Sequence, residues 1–264
     1  MTNPTITSLR AHHSIRRFTS EPVTDAELET ILTTGQRAST SSNLQSYSVI
    51  VVRDQERKAK LAELCGGQRQ VAECPVFLAH CADLNRAKML CDAAGYEFRA
   101  QCIEFFILAV IDAAIFAEKT LDAAEAIGLG GCMIGGARNK PFEIAELLGL
   151  PPLVFIAFGM TLGRPDPEHV PAQRPRLPLA GIVHHERYDT AHLAEAHAEY
   201  DCLTRATGLY QRRLDLSSRL PGWRDTTPEG EYGWAEQSAR RWIDPVAVRA
   251  DLRRFLDRQG FGFE

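Results

Sequence analysis

The segment His12–Phe18, HHSIRRF, gathers two histidines, two arginines and a serine within seven residues of a chain whose formal net charge is only -4. A guanidinium stays charged at any working pH and presents a planar fork that matches two phosphate oxygens; imidazole and hydroxyl add further donors. The chemistry open to such a cluster is the grip of a small anion, a phosphate above all. A solvated surface run has the same composition, and the segment alone leaves both readings open.

Other patterns carry less. GLGGCMIGG (Gly128–Gly136) has the glycine density of a dinucleotide fingerprint. It leads into a strand, though, and lacks the strand-to-helix turn that seats a pyrophosphate on a helix N-terminus. His192, Glu195 and Glu199 share a helical face, but on an alanine-rich polar helix without other ligands they read as solvated, and no metal site is expected. Cys81 and Cys132 lie in apolar strands as packing residues. Glu104 and Asp112 stand in a strongly apolar stretch where a carboxylate must find partners, and bonds across a helix or subunit interface are expected of them. No catalytic side chain is assigned.

The elements that position these residues follow from composition and period. With 264 residues, 45% hydrophobic and 24% charged, the chain has material for one globular domain with extensions. A pI near 6.1 with interspersed signs excludes the sustained basic face that nucleic acid or an anionic membrane requires. Seven cysteines without a C-x-x-C pair, and no secretory leader, argue against a disulfide framework and for a reducing cytoplasm. The longest apolar run, FFILAVIDAAIFA, contains Asp112 and falls short of the ~20 residues of a membrane span, so it reads as a buried helix.

Thr24 and Glu27 have capping-box spacing, which predicts a helix over about 25–36. The polar string at 37–46 reads as a loop, SVIVVRD as a strand, ERKAKLAELC as a helix and PVFLAHCADL as a second strand. A helix apolar nearly all round follows from about Glu97 through TLDAAEAIG, as expected at the centre of a fold or in a large subunit interface. GLGGCMIGG, FEIAELLGL and LVFIAFGMTLG then read as strand, helix and strand. Beyond Gly163 come an extended proline-rich segment, a polar helix near 191–210 and a Pro/Gly/Trp-rich stretch. The closing helix is expected to have Asp244 as cap, Pro245 at its first position and Gly260 at its end. Few strands and long helices in non-alternating order give an α+β class.

Six separated segments, HHSIRRFTSEPV, RASTSSNLQS, GGQRQVAECPVFLAHCADLNR, GLGGCMIGGARN, FGMTLGRP and RPRLP, resemble in order and spacing the oxygen-insensitive NADPH nitroreductase and FMN reductase family, in its major nitroreductase branch. The resemblance covers about residues 5–205 and returns in LRRFLDRQGF. It implies a nitroreductase-like FMN-binding fold with a central mixed sheet flanked by helices, in an intertwined homodimer. The FMN-binding core would span 1–163, with 164–264 a C-terminal extension of the same domain.

On the matching positions, the resemblance assigns the FMN phosphate to His12, His13, Ser14 and Arg176. It assigns the ribityl chain and the N1/O2 edge of the flavin to Arg16 and Arg174. Ser39 and Ser41 are implied near phosphate and ribityl, Gln68 near the pyrimidine edge, and the backbone of Gly135 or Gly136 opposite N5. A positive group beside N1/O2 stabilises the charge of the reduced flavin, and a glycine at N5 leaves room for the hydride donor. Arg205, Arg212 and Arg213 are implied to hold the 2′-phosphate end of NADPH. The activity implied is ping-pong reduction of nitroaromatics, quinones or related acceptors with NADPH. A flavin reductase supplying reduced FMN and a non-catalytic flavin-binding protein are the alternatives. Histidine at position 13, where arginine is common, Asn43, the Ser46–Tyr47 pair and the lengthened tail depart from the family pattern.

Overall fold

Thr24 and Glu27 close the reciprocal bonds that their spacing predicts: Thr24 Oγ1 accepts the Glu27 N–H at 3.2 Å and Glu27 Oε2 accepts the Thr24 N–H at 2.9 Å. Helix α2 (Asp25–Gly35) starts there, after a short α1 (Pro4–Arg10) that the sequence did not announce. The computed structural model describes residues 3–210, 232–242 and 249–263. It divides into two units, Met1–Ala172 with Arg249–Glu264, and Gln173–Val248.

In the first unit, β1 (Tyr47–Val52) leads through α3 (Gln55–Leu64) and α4 (Arg69–Glu73) into β2 (Val76–Asp83). Helices α5 (Asn85–Ala94) and α6 (Ile103–Ala126) follow, then β3 (Gly130–Ile134), α7 (Pro141–Leu148) and β4 (Val154–Gly163). The strands order as β1-β2-β4-β3. Among the described residues all three pairings are antiparallel, where a mixed sheet was expected. The cause is in the connections. Helices α3 and α4 return the chain to the end it left, so Val52 faces Phe77, whereas a single crossover helix would have set β2 parallel.

Strand β2 is buried along its whole length, and its side chains alternate between two cores. Phe77, Ala79 and Cys81 pack with Leu61, Val71, Ile144 and Ile156 beneath α3, α4 and α7. Val76 and Leu78 pack with Leu28, Ile31, Leu121 and Met160 beneath α2 and α6. Each fully buried side chain of this size contributes about 1.5–3 kcal/mol, which fixes the register of the sheet. Helix α6 is a single 24-residue element, and it is not buried all round. Leu108, Ala113, Phe116, Ala117 and Leu121 face the core, while Ile103, Ile107, Ile111 and Ile115, spaced four apart, stay exposed as one ridge.

The closing helix, here α10 (Leu252–Gln259), ends at Gly260 as expected, with φ 87°. Its N-cap position is Asp251; the expected Asp244 and Pro245 lie outside the described residues. Phe255 and Leu256 seat it on Leu153 and Phe155.

The second unit contains α8 (Leu193–Ala206) and α9 (Trp234–Trp242). Tyr200 meets the Trp234 ring edge-on at 5.1 Å, and the Asp201 carboxylate accepts the Ala235 N–H at 2.8 Å. Tyr232 is fully buried, its hydroxyl donating to Gln237 at 2.7 Å.

Candidate functional site

The basic segment is fastened along the free edge of β3. The Ile15 N–H donates to the Gly131 carbonyl at 2.8 Å, and the Ile15 side chain occupies the space that the missing Cβ of Gly130 leaves. A bridge between Phe18 and Pro165 and the Thr19 N–H to Arg164 carbonyl bond at 3.0 Å hold its far end. Ile15 is buried there, while its neighbours Ser14 and Arg16 stay partly exposed. His12 Nδ1 lies 2.7 Å from the Glu125 carboxylate at the end of α6. Asp122 stands on the same turn; burial pushes its carboxyl up, against the opposing pull of His12 and Lys119. His13 Nδ1 donates to the Ala11 carbonyl at 2.8 Å, because a carbonyl only accepts, and Nε2 is left for other partners. Arg17 pairs with Glu73 at 3.2 Å. Arg16 donates to the Ser14 carbonyl at 3.2 Å and has no acidic partner among the described residues.

Strand β3 runs directly into a tight turn over Gly135–Arg138. A Cβ at Gly136 would collide with the Cys65 carbonyl and the Gln68 amide, whereas a Cβ at Gly135 would find its nearest atoms at 3.5 and 3.6 Å, on Arg249 and Arg138. Gln68 is held by its own bond to the Cys65 carbonyl at 3.0 Å and by Gln70 at 2.8 Å. The preceding Gly66 and Gly67, at φ 90° and 73°, make the left-handed corner that brings it there. So Gln68, Gly135 and Gly136 do come together. Burial pushes the Cys65 thiol up to about 12, which makes it inert.

Two arginines at this turn were not picked out from the sequence. Arg249 donates to the Gly135 carbonyl at 2.9 Å, and Arg138 bonds to the Ala157 carbonyl. Burial, and then the charge of Arg249, push the Arg138 guanidinium down. Arg138 was legible as the cation following the glycine pair; Arg249 lies more than 100 residues further on, and only folding brings it back.

The serine loop forms a second site within the subunit. Ser39 and Ser41 border a cavity of about 270 Å³, together with Ile107, Ile111 and Ile115 of the exposed α6 ridge. Ser42, Asn43 and Gln45 all take left-handed backbone angles. Asp112 is buried, and its carboxylate accepts the Ser41 and Ser46 N–H groups at 3.1 and 3.0 Å. This corrects the expectation for that residue: its partners are the backbone of the loop, on the same chain. Glu104 is exposed and needs none.

In the second unit Arg174 and Arg176 are exposed. Arg205 forms an ion pair with Asp201 at 2.7 Å on α8, and His192, Glu195 and Glu199 are solvated as expected. Arg212 and Arg213 lie outside the described residues. All seven cysteines are free thiols, and no described helix is long and apolar enough to cross a membrane.

Known proteins bear on this arrangement directly. The Nitroreductase family profile matches residues 9–164, and that of the Nitroreductase family, C-terminal domain, matches 174–264. FMN reductase [NAD(P)H] of Bacillus subtilis is 41% identical over 99% of this chain and 99% of its own. Oxygen-insensitive NADPH nitroreductase of Salmonella typhimurium is 42% identical over 70% of this chain and 75% of its own. Among solved structures, NfrA2 of B. megaterium superposes with a TM-score of 0.86 at 34% identity, covering all of both chains. On sequence along nearly its whole length and on fold, the chain belongs to the nitroreductase family.

Proposed function

We propose that the protein is an NADPH-dependent flavoprotein reductase that holds FMN and reduces electron-poor acceptors such as nitroaromatics and quinones, or free FMN itself. The residues present fit the cofactor. The observation that carries the reading is the floor formed by Gly136, where no side chain fits against Gln68, at the end of the strand whose edge carries the basic segment. When bound, FMN supplies a ring that takes hydride from NADPH and delivers two electrons to the acceptor.

Every other contribution belongs to the chain. His13, Ser14 and His12 offer donors to the phosphate, with Glu125 fixing the His12 ring by its Nδ1. Arg16, free of any acidic partner among the described residues, would supply an uncompensated charge to the N1/O2 edge. The Gly135 and Gly136 backbone admits close approach from one face, and Gln68 orients the pyrimidine edge. Arg174 and Arg176 are proposed for the same cofactor on the RPRLP motif, and Arg205, Arg212 and Arg213 for NADPH. Both substrates would use one face in turn, giving ping-pong kinetics.

The exposed isoleucine ridge of α6 supports a homodimer, since four large apolar side chains in a row are costly to leave in water. The serine loop lines the same cavity as that ridge, so dimerisation would place Ser39 and Ser41 at the subunit boundary. Seven free thiols suit a reducing compartment such as the cytoplasm.

The test is optical. The purified protein is expected to be yellow, to bleach with NADPH under nitrogen, and to recover its absorbance when a nitroarene or quinone is added. A colourless protein with no affinity for added FMN overturns the flavin reading; bleaching without recovery by any acceptor leaves a binder in place of an enzyme. Sedimentation at low concentration tests the dimer, which an active, flavin-loaded monomer refutes.

A further inference from the structure

Asp112 stands in the most apolar helix of the chain, is 1% exposed, and takes no part in the chemistry proposed above. Its two oxygens divide their work: Oδ1 accepts from the Ser41 N–H and Oδ2 from the Ser46 N–H. These two groups bracket a turn in which Ser42, Asn43 and Gln45 hold φ of 47°, 57° and 53°. Left-handed residues other than glycine are sparsely populated and persist only where the surroundings over-determine them. The turn does not do this by itself. Ser41 to Gln45 are exposed, and apart from Asp112 their hydrogen bonds are internal to the loop, Ser41 carbonyl to Leu44 N–H and Gln45 carbonyl to Tyr47 N–H. Ser46 is also tied by the Asp83 N–H, Arg37 by Lys119 and Ala38 by the Gly35 carbonyl, but from Ser39 to Gln45, among the described residues, the loop meets the fold by hydrogen bond only at Asp112.

We infer that Asp112 is the positioning residue of the serine loop, its carboxylate setting the backbone from Ser41 to Ser46 in the shape that presents Ser39 and Ser41 to the flavin. The inference rests on the flavin reading proposed above. A carboxylate suits the task because both of its oxygens accept. Asparagine would offer one acceptor and one NH2 group, and that group would face a backbone N–H, donor against donor. The location matters as well. Asp112 lies between Ile111 and Ala113 on the helix whose exposed ridge borders the serine cavity, so one side chain ties the loop to the surface proposed for dimerisation.

The experiment compares wild type, Asp112→Asn, and Asp112→Asn carrying Ser42→Gly and Gln45→Gly, each as purified full chain titrated with FMN. Losing a buried charge-assisted acceptor is expected to raise the FMN dissociation constant roughly tenfold or more. The circular dichroism of the bound flavin in the visible region is expected to change as well. Glycine adopts left-handed angles freely, so the two loop glycines are expected to recover part of the affinity, a rescue that a purely structural role on α6 would not produce. A folded Asp112→Asn protein with wild-type FMN affinity, or no recovery by the glycines, overturns the inference. Wild type without FMN affinity overturns the flavin reading itself, so the two failures are distinguishable. Should Asp112→Asn not fold, amide exchange of wild type decides: slow Ser41 and Ser46 amides, slower still with FMN, support the inference, and rapid exchange unaffected by FMN overturns it.

Discussion

His12–Phe18 is held by one backbone bond and a packed isoleucine on β3 and by a bridge to Pro165, while, among the described residues, the Ser41–Gln45 turn meets its own fold by hydrogen bond only through one carboxylate on α6. Both stretches are assigned to the same cofactor, yet their robustness differs. A strand edge places its side chains whatever those side chains are, so substitution there removes a contact and leaves the geometry intact. A loop fixed by one buried acceptor pair loses its geometry when that pair is lost. Chemistry on the basic segment is therefore separable from structure, and on the serine loop it is not.

The largest expected effect concerns the core beneath α6. His80 on β2 is fully buried between Phe116 of α6 and Phe158, at ring distances of 5.7 and 5.5 Å, and neither ring nitrogen has a hydrogen-bond partner among the described residues. Burial pulls its pKa down from 6.5 to about 3. The folded state thus holds the neutral ring, while an unfolded chain takes up a proton near pH 6.5. Stability is complete above that pH and is lost as pH falls toward 3, by about 4–5 kcal/mol if unfolding is two-state. Chemical denaturation of wild type and His80→Leu across pH 7 to 4 checks this. The variant is expected to match or exceed wild type at pH 7 and to lose less stability on acidification. Identical slopes would assign the acid sensitivity elsewhere. Since Phe116 lies one helical turn from Asp112, acid is expected to loosen the helix that carries the serine loop.

Next in size is the glycine turn. Gly136→Ala drives a Cβ into a backbone carbonyl that cannot step aside, and overpacking of this kind costs about 1–3 kcal/mol, lowering Tm by several degrees and displacing Gln68. Gly135→Ala meets nothing closer than 3.5 Å and is expected to melt like wild type. Equal melting of the two variants would mean that the floor yields more readily than the packing indicates.

The basic edge gives a smaller and cleaner effect. Arg16→Ala is expected to weaken FMN binding by about tenfold with Tm unchanged, because its charge has no acidic partner to strand among the described residues. Arg17→Ala breaks only a half-exposed pair with Glu73, and such pairs contribute about 0–1 kcal/mol, so FMN affinity is expected to hold. If both variants lose affinity equally, the segment acts as a diffuse positive patch and not as a set of placed contacts.

Much of the frame was legible because its determinants are local. The capping box at Thr24–Glu27, the left-handed Gly260 and the run that became α6 each read directly from a few adjacent residues. Helix α5 escaped notice because it buries no residue, so it carries no apolar stripe to read. The mixed sheet came from the family resemblance alone, since alternation reports which face is buried and not which way a neighbour runs. The site divides similarly. Gln68 and the glycine pair sit in short motifs, whereas the partners of Asp112 lie 71 and 66 residues away, and only a completed fold reveals that a carboxylate suspected of bridging an interface clamps a loop.

The smallest expected effect belongs to the second unit, where sequence and geometry offer rival roles for one residue. Arg205 is proposed for the 2′-phosphate of NADPH, yet its guanidinium lies 2.7 Å from Asp201, whose other oxygen accepts the Ala235 N–H and so joins α8 to the start of α9. A charge that is half-exposed and already paired adds little to the hold on a second anion. Arg205→Ala is therefore expected to raise KM for NADPH only about two- to fivefold, with kcat and the NADH reaction unchanged, the signature of lost uniform binding. Because exposed charges are screened, that difference is expected to shrink as ionic strength rises. Asp201→Asn separates the roles. It frees the guanidinium while keeping an acceptor for Ala235, so a lowered KM for NADPH marks Arg205 as a phosphate ligand restrained by its partner. If instead both variants lower Tm and neither changes the preference for NADPH over NADH, the pair serves only to hold α8 and α9 together.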